Sequence, residues 1–487
     1  MNELTQKNYQ IWQGQKLADA ALTKELESIA GKEEEINDRF YKELEFGTGG
    51  LRGVLGVGTN RMNIYTVGKA SKGFANYINS LGLKAPGLAI SYDSRHNSQV
   101  FAKHAAGVFA AAGIKAYIWP ELMPTPALSF AVRHLNLAGG IMVTASHNPA
   151  KYNGYKVYGA DGCQIANEVA DATFKEIQKT DAFKDVAVMD FEEGLQKGMI
   201  EYISQECFEA FMDAVSTQTF IGEEVAKDVK IAYTPLYGTG LRSVTTCLKR
   251  NGFTNILVVE EQAQPNGDFP TAPYPNPEIR EALEVGLKFA KDQGADILIA
   301  TDPDCDRCGI AVREGADFRL FSGNEVGVLL LDFIAKRRQA LGTMPKDPVL
   351  VKTIVTMDLA GKVADHYGVE TRDVLTGFKY IGDQIADLER EGHPERYILG
   401  FEESYGYLSG TYVRDKDAVN ASYLIAQMFA YYRSQNRSLL EVMEELYATY
   451  GYCLNTLHSF EFEGESGMKK MHGIMESFRE NPPRQVA

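Results

Sequence analysis

Asp296-Ile297-Leu298-Ile299-Ala300-Thr301-Asp302-Pro303-Asp304-Cys305-Asp306-Arg307 opens as an apolar run and breaks into a loop with three aspartates. A short, β-branched run closed by Pro and Asp reads as a buried strand ending in a polar loop. The unit recurs along the chain. Residues 87–92 precede Asp93-Ser94-Arg95, and residues 140–143 precede Thr144-Ala145-Ser146-His147. Residues 229–233 lead to Thr234-Pro235-Leu236-Tyr237-Gly238, and residues 349–355 to Thr356-Met357. Longer amphipathic stretches lie between these runs, so the fold class is α/β. Such folds place ligand sites at the carboxyl ends of buried strands. The repetition points to related α/β domains, with no strict short-period repeat.

The chain has 487 residues, enough for several domains. Its net charge of −15 argues against a general nucleic-acid binder, which needs a basic footprint. The first residues carry no apolar core with a cleavage site, and no apolar run approaches the roughly 20 residues of a membrane span. Six scattered cysteines make no disulfide framework, so the expected location is cytoplasmic. Cys305 and Cys308 read as two small side chains on a strand-ending loop. The first forty residues are helical in pattern, with Glu33-Glu34-Glu35 as a solvated face. Domain boundaries are expected near 201–208 and 321–325. A helix pair is expected over 422–450, then a strand over 454–462 and a helix over 468–480.

Asp302, Asp304 and Asp306 stand at alternate positions. Alternate residues of an extended segment face the same way, so the three carboxylates are expected to converge on one hard cation. A small, all-oxygen ligand set suits Mg²⁺, which keeps positions open for phosphate or substrate oxygens. An EF-hand also begins with such a trio, but it needs Gly sixth and Glu twelfth, where this chain has Arg307 and Arg313. A solvated acidic turn is the plainer alternative. Three uncompensated carboxylates this close repel unless a cation sits among them.

Ser146 admits three readings: a hydrolase nucleophile, a phosphoacceptor or a plain turn residue. No G-x-S-x-G elbow surrounds it. His147 is expected to be a poor base for it, because adjacent side chains diverge. The triple-Asp loop and a series of cationic loops favour the phosphoacceptor, whose dianion supplies a further ligand to Mg²⁺.

Five motifs then carry a family resemblance: Phe46-Gly47-Thr48-Gly49-Gly50-Leu51-Arg52-Gly53, Thr144-Ala145-Ser146-His147-Asn148-Pro149, Asp302-Pro303-Asp304-Cys305-Asp306-Arg307, Thr376-Gly377-Phe378-Lys379 and Gly400-Phe401-Glu402-Glu403-Ser404-Tyr405-Gly406. In this order, over residues 40–455, they resemble the α-D-phosphohexomutases, the phosphoglucomutase/phosphomannomutase superfamily. The resemblance is greatest to the bacterial phosphosugar mutases. It implies three similar α/β domains with mixed sheets around a central cleft and the beginning of a fourth, small domain. The implied limits are a helical extension 1–40, domain I 41–205 (phosphoserine loop), domain II 206–320 (metal loop), domain III 321–455 (sugar loop) and the start of a domain IV 456–487.

The resemblance further implies that Ser146 carries the phosphoryl group and that Asp302, Asp304 and Asp306, with a phosphoserine oxygen, hold one Mg²⁺ per chain. Glu402, Glu403 and Ser404 match the loop that binds sugar hydroxyls. Lys379 matches a proton-transfer position, and Arg52, His147 and Lys156 line the phosphoserine region. Moving a phosphoryl group needs positioning and charge neutralisation more than a strong nucleophile, and Arg307 is placed to offset charge. Lys379, between Phe378 and Tyr380, is expected to have its pKa lowered by desolvation. Arg95 and Lys416 are further substrate-binding candidates, although each sits in a loop that solvation would also explain.

The expected reaction interconverts hexose 1-phosphate and hexose 6-phosphate through a phosphoserine enzyme and a bisphosphate, with glucose 1,6-bisphosphate as activator. Glucose is the first candidate and mannose the second; a phosphopentomutase, a phosphoglucosamine mutase and a phosphomonoesterase are alternatives. The family's R-x-S-G-T-E-P phosphate loop has no counterpart string in this sequence. That departure supports a further alternative, a truncated and catalytically impaired sugar-phosphate binding protein. Cys305 stands where a small residue such as Ala is usual, its side chain expected to point away from the metal in an extended loop. The partner is a small phosphosugar, with neither nucleic acid nor membrane, and the protein a monomer or homodimer.

Overall fold

A computed structural model describes residues 2–47, 50–165, 167–458, 460, 462 and 464–483. Thr48 and Gly49 of the first motif, with residues 459 and 461 of the expected strand, lie outside the described residues. The apolar runs become strands because both of their faces are covered: every residue of Gly87–Tyr92, Gly139–Val143, Ile297–Thr301 and Val349–Thr353 is buried. Three sheets result. The first contains β1 (Gly50–Val54), β2 (Gly87–Tyr92), β3 (Lys115–Ile118), β4 (Gly139–Val143), β5 (Tyr152–Gly159) and β6 (Ile200–Tyr202), in the order β1-β5-β4-β2-β3-β6. The second contains β7 (Ile231–Thr234), β8 (Ile256–Val258), β9 (Ile297–Thr301), β10 (Cys308–Glu314) and β11 (Asp317–Phe321), in the order β11-β10-β9-β7-β8. The third contains β12 (Val349–Thr353), β13 (Glu370–Val374), β14 (Tyr397–Glu402) and β15 (Gly406–Leu408), in the order β13-β12-β14-β15.

All three sheets are mixed, and they change from parallel to antiparallel at equivalent strands. β4 lies parallel to β2 and antiparallel to β5. β9 lies parallel to β7 and antiparallel to β10. β14 lies parallel to β12 and antiparallel to β15. The loops leaving β4, β9 and β14 carry Ser146, the aspartate trio and the Glu402-Glu403-Ser404 segment. Each functional loop therefore springs from the carboxyl end of a buried strand, the end at which open α/β sheets hold ligands.

The three sheets belong to one unit, Glu45–Leu55 with Met62–Cys453. A continuous apolar core runs through it, with Met142 of β4, Ile299 of β9 and Val351 of β12 among its members. The helix pair expected over 422–450 is observed as Ala418–Ser434 and Leu439–Tyr450, the second opened by a capping box between Ser438 and Glu441.

Met1–Leu44, Gly56–Arg61 and Leu454–Ala487 make a second unit. Its helices are Glu3–Gln13, Ala20–Ser28, Glu33–Phe40 and Gly464–Glu480. Phe40 is fully buried and is met edge-on by Tyr9 and Trp12, with ring centroids 5.4 and 6.0 Å away. Glu33, Glu34 and Glu35 are exposed. The strand expected over 454–462 does not form among the described residues. A strand needs a hydrogen-bonded neighbour, and here Leu454, Leu457 and Phe460 are 70%, 78% and 81% exposed instead. No helix of the described residues is long and apolar enough to cross a membrane.

Candidate active site

The loop after β4 turns on Ser146, which is 3% exposed and holds a left-handed φ of +50°. Its N–H donates to Thr144 Oγ1 at 2.7 Å, and the Thr144 hydroxyl donates to Asp93 Oδ2 at 2.6 Å. The Ser146 hydroxyl donates to Asp302 Oδ2 at 2.8 Å, across to the loop after β9. It also lies 3.0 Å from His147 Nδ1. The expected divergence of these adjacent side chains is thus overturned: the positive φ at Ser146 folds the backbone back so that both face one point. Burial, with Arg307 and Arg52 nearby, pushes the His147 imidazole well below its usual pKa. Arg52 Nη1 donates to Asn148 Oδ1 at 3.2 Å.

Arg95, 3% exposed, is no solvated loop residue. Its Nη1 donates to the carbonyls of Pro149 and Tyr152 at 3.0 and 3.2 Å, and its Nη2 to those of Ser146 and Asn148. Its Nε lies 3.3 Å from Asp93 Oδ2. With both Nη groups on backbone carbonyls, Arg95 holds the serine loop from beneath.

The three aspartates converge, but not through an extended segment. The loop is a tight turn with Cys305 at φ +53° and its N–H on the Asp302 carbonyl at 2.9 Å. Asp302 Oδ1 accepts the N–H groups of Asp306 and Arg307 at 3.1 and 3.0 Å, closing the turn on itself. Cys305 and Cys308 are buried, free thiols; Cys308 Sγ lies 3.6 Å from Ser422 Oγ. Arg307 pairs through Nη1 with Glu278.

One oxygen from each aspartate can be chosen so that all lie within 4.8 Å of one another. Asp304 Oδ2 accepts Lys156 Nζ at 2.8 Å and the Thr125 hydroxyl at 2.9 Å. Asp306 Oδ2 lies 3.3 Å from Lys156 Nζ and 3.4 Å from Lys416 Nζ. The remaining oxygens, Asp304 Oδ1 and Asp306 Oδ1, are buried with no hydrogen-bond partner among the described residues. Orphaned carboxylate oxygens carry a high desolvation cost, and a hard divalent cation removes it, so the residues present fit Mg²⁺. Burial, with Asp304 and Asp306 beside it, pushes Asp302 well above the usual carboxylate range. Burial acts on Asp304 in the same sense, but Lys156, together with hydrogen bonds from Asp302 and Thr125, outweighs it and holds that carboxyl below its ordinary value.

Lys156 comes from β5, and burial alone would lower its pKa; Asp304 and Asp306 raise it instead. Lys416 is also drawn out of solvent. Its Nζ lies 3.3 Å from Asp415 Oδ1 and 4.0 Å from Glu402 Oε2, and Asp415 Oδ2 in turn accepts the Tyr158 hydroxyl at 2.7 Å.

Glu402, 5% exposed, accepts the Gly377 N–H at 2.9 Å through Oε1. Gly377 has φ +122°, a conformation that brings its amide against this carboxylate and that a side chain would strain. Burial raises the Glu402 pKa and Lys416 opposes it. Glu403 and Ser404 form the turn between β14 and β15. Lys379, 7% exposed, lies 4.9 Å over the Tyr380 ring, with no hydrogen-bond partner for Nζ among the described residues.

Sequence reasoning did not single out Asp93, Thr125, Tyr158 or Asp415. Each is a buried or partly buried polar group made important by a partner more than fifty positions away or by its place behind a loop, and no local pattern marks such pairs.

Three profiles of the phosphoglucomutase/phosphomannomutase family match this chain: alpha/beta/alpha domain I over residues 43–184, domain II over 209–315 and domain III over 322–450. The chain belongs to this family. Among relatives, a phosphoglucomutase of Staphylococcus saprophyticus is 38% identical over 448 residues, which are 92% of this chain and 80% of that protein. A phosphoglucomutase of Staphylococcus aureus is 36% identical over 454 residues, 93% of this chain and 80% of that protein. In fold, this phosphoglucomutase/phosphomannomutase chain superposes on a putative phosphomannomutase from Thermus thermophilus with TM-score 0.70, 25% identity and 84% of each chain covered. A family protein from Burkholderia thailandensis, 18% identical, shares the fold at TM-score 0.65 over 82% of this chain and 79% of that one.

Proposed function

We propose that this phosphohexomutase interconverts hexose 1-phosphate and hexose 6-phosphate, glucose first, through a phosphorylated Ser146 and a bisphosphate intermediate. One observation carries the reading: the Ser146 hydroxyl donates to Asp302 Oδ2 at 2.8 Å, beside two orphaned carboxylate oxygens. When bound among Ser146, Asp302, Asp304 and Asp306, a single Mg²⁺ supplies charge that offsets the phosphoryl oxygens. Phosphorylated Ser146 gives up its group as the P–Oγ bond breaks and a bond forms to the hydroxyl oxygen on C6 of the hexose 1-phosphate. The displaced hydroxyl proton passes to a basic group of the chain, for which Lys379 is the candidate. The bisphosphate then returns its C1 phosphoryl to Oγ, and O1 regains a proton. Arg52, His147 and Lys156 surround the phosphoserine, Arg307 and Lys416 oppose negative charge in the cleft, and Glu402, Glu403 and Ser404 receive sugar hydroxyls.

The curated relatives' name supports glucose over mannose. Free and mostly buried cysteines suit a reducing compartment, so the cytoplasm is the proposed location. The test is turnover of glucose 1-phosphate with Mg²⁺ and a catalytic amount of glucose 1,6-bisphosphate, followed as glucose 6-phosphate. S146A should abolish it. Release of inorganic phosphate in place of isomerised sugar, or binding without turnover, would sink the proposal.

A further inference from the structure

Glu403 is held from one side. Its Oε2 accepts the hydroxyls of Thr353 and Thr356 at 3.0 and 3.2 Å, and those hydroxyls lie 2.8 Å from each other. Among the described residues no hydrogen bond goes to Oε1. The two threonines are 0% and 2% exposed, although Ile354 and Val355 between them are 58% and 49% exposed. Lys352 at the end of β12 enforces this inward placement. Its ammonium, buried with the residue 3% exposed, donates to the carbonyls of Thr353 and Thr356 at 3.5 and 3.2 Å and pairs with Asp373 at 2.7 Å. The neighbouring Glu402 spends Oε1 on the Gly377 amide at 2.9 Å. Two adjacent carboxylates thus each keep one oxygen in a fixed place, Oε2 of Glu402 and Oε1 of Glu403.

We propose that Thr353 and Thr356, seated by Lys352, are positioning residues that set which hydroxyl pattern the sugar loop accepts. The proposal rests on the mutase reading. A rigid pair of acceptors discriminates between hexose epimers, because an epimer that moves one hydroxyl leaves a partly desolvated carboxylate oxygen unpaired. A Glu403 freed from the threonines swings to meet either epimer and loses that discrimination.

The test compares glucose 1-phosphate with mannose 1-phosphate for wild type, T353V/T356V and T353S/T356S. Valine keeps the shape and removes the hydroxyl. The valine variant should lose about tenfold or more in kcat/KM for glucose 1-phosphate, mostly in KM, as expected for lost hydrogen bonds to a charged group. Its preference between the two sugars should move towards one. The Mg²⁺ concentration for half-maximal turnover should stay as in wild type, and the serine variant should retain wild-type behaviour. If the double valine variant does not fold, T356V alone is read the same way. An unchanged sugar preference, or a serine variant impaired as much as the valine one, overturns the proposal. Failure of the wild type to isomerise any hexose phosphate would instead remove the mutase reading beneath it.

Discussion

Thr125 grips Asp304 twice: its hydroxyl donates to Oδ2 at 2.9 Å and its backbone N–H to the carbonyl oxygen at 2.9 Å. Thr125 begins the helix Thr125–His134, so the positive end of that helix abuts the acidic turn of the second sheet. Together with Lys156 it occupies Oδ2 and leaves Oδ1 for a cation. T125V keeps the bulk and loses the donor. The Mg²⁺ concentration for half-maximal turnover should rise about tenfold, the usual cost of losing an outer partner of a ligand, with a smaller change in kcat. Activity titrated against Mg²⁺ checks this.

Asp306 offers Oδ1 with no other partner among the described residues. D306N retains an oxygen but removes a charge, so turnover should drop about a hundredfold and excess Mg²⁺ should recover little of it. Isothermal titration with Mg²⁺ should show weakened binding. Equal affinity in D306N and wild type would remove Asp306 from the ligand set.

Replacing Arg95 should act on stability as well as on rate. R95M leaves the Asp93 carboxylate without its cation and strips four carbonyls of their donors. Breaking a buried pair in this way costs about 3–5 kcal/mol. Urea unfolding measures it, and phosphate incorporation into Ser146 should fall in the protein that remains folded.

His104 makes the protein acid-sensitive at a distance from the site. Burial lowers its pKa from 6.5 to about 4. Between those values the unfolded chain binds a proton that the folded chain refuses, so stability falls as pH drops from 6.5 to 4 and changes no further below that. The loss amounts to about 3 kcal/mol at most. H104Q removes this contribution, and the difference between the two proteins' urea midpoints at pH 7 and pH 4.5 should shrink on the acidic side.

Much of the site could be read before the structure, and what escaped has a common cause. Ser146 and the aspartates announce themselves because each lies in a polar loop at the end of an apolar run, and the sheets put those ends where their strand direction switches. Backbone handedness does not announce itself. The left-handed Ser146 brings His147 onto its hydroxyl, and the left-handed Cys305 makes a turn of what alternation suggested was extended. Burial of charge is equally silent. Arg95 and Lys416 sit among charged neighbours in sequence, and only the fold decides that those neighbours lie inside. The expected strand over 454–462 shows the reverse error, since apolar residues in a short segment do not supply the partner a strand requires.

Lys156 and Lys416 stand 3.3 and 3.4 Å from Asp306 Oδ2. The acidic turn therefore has counter-ions supplied by the polypeptide itself. Two ammonium groups brought in from far along the chain thus share the charge of one carboxylate, and the polypeptide itself sets where that carboxylate stands.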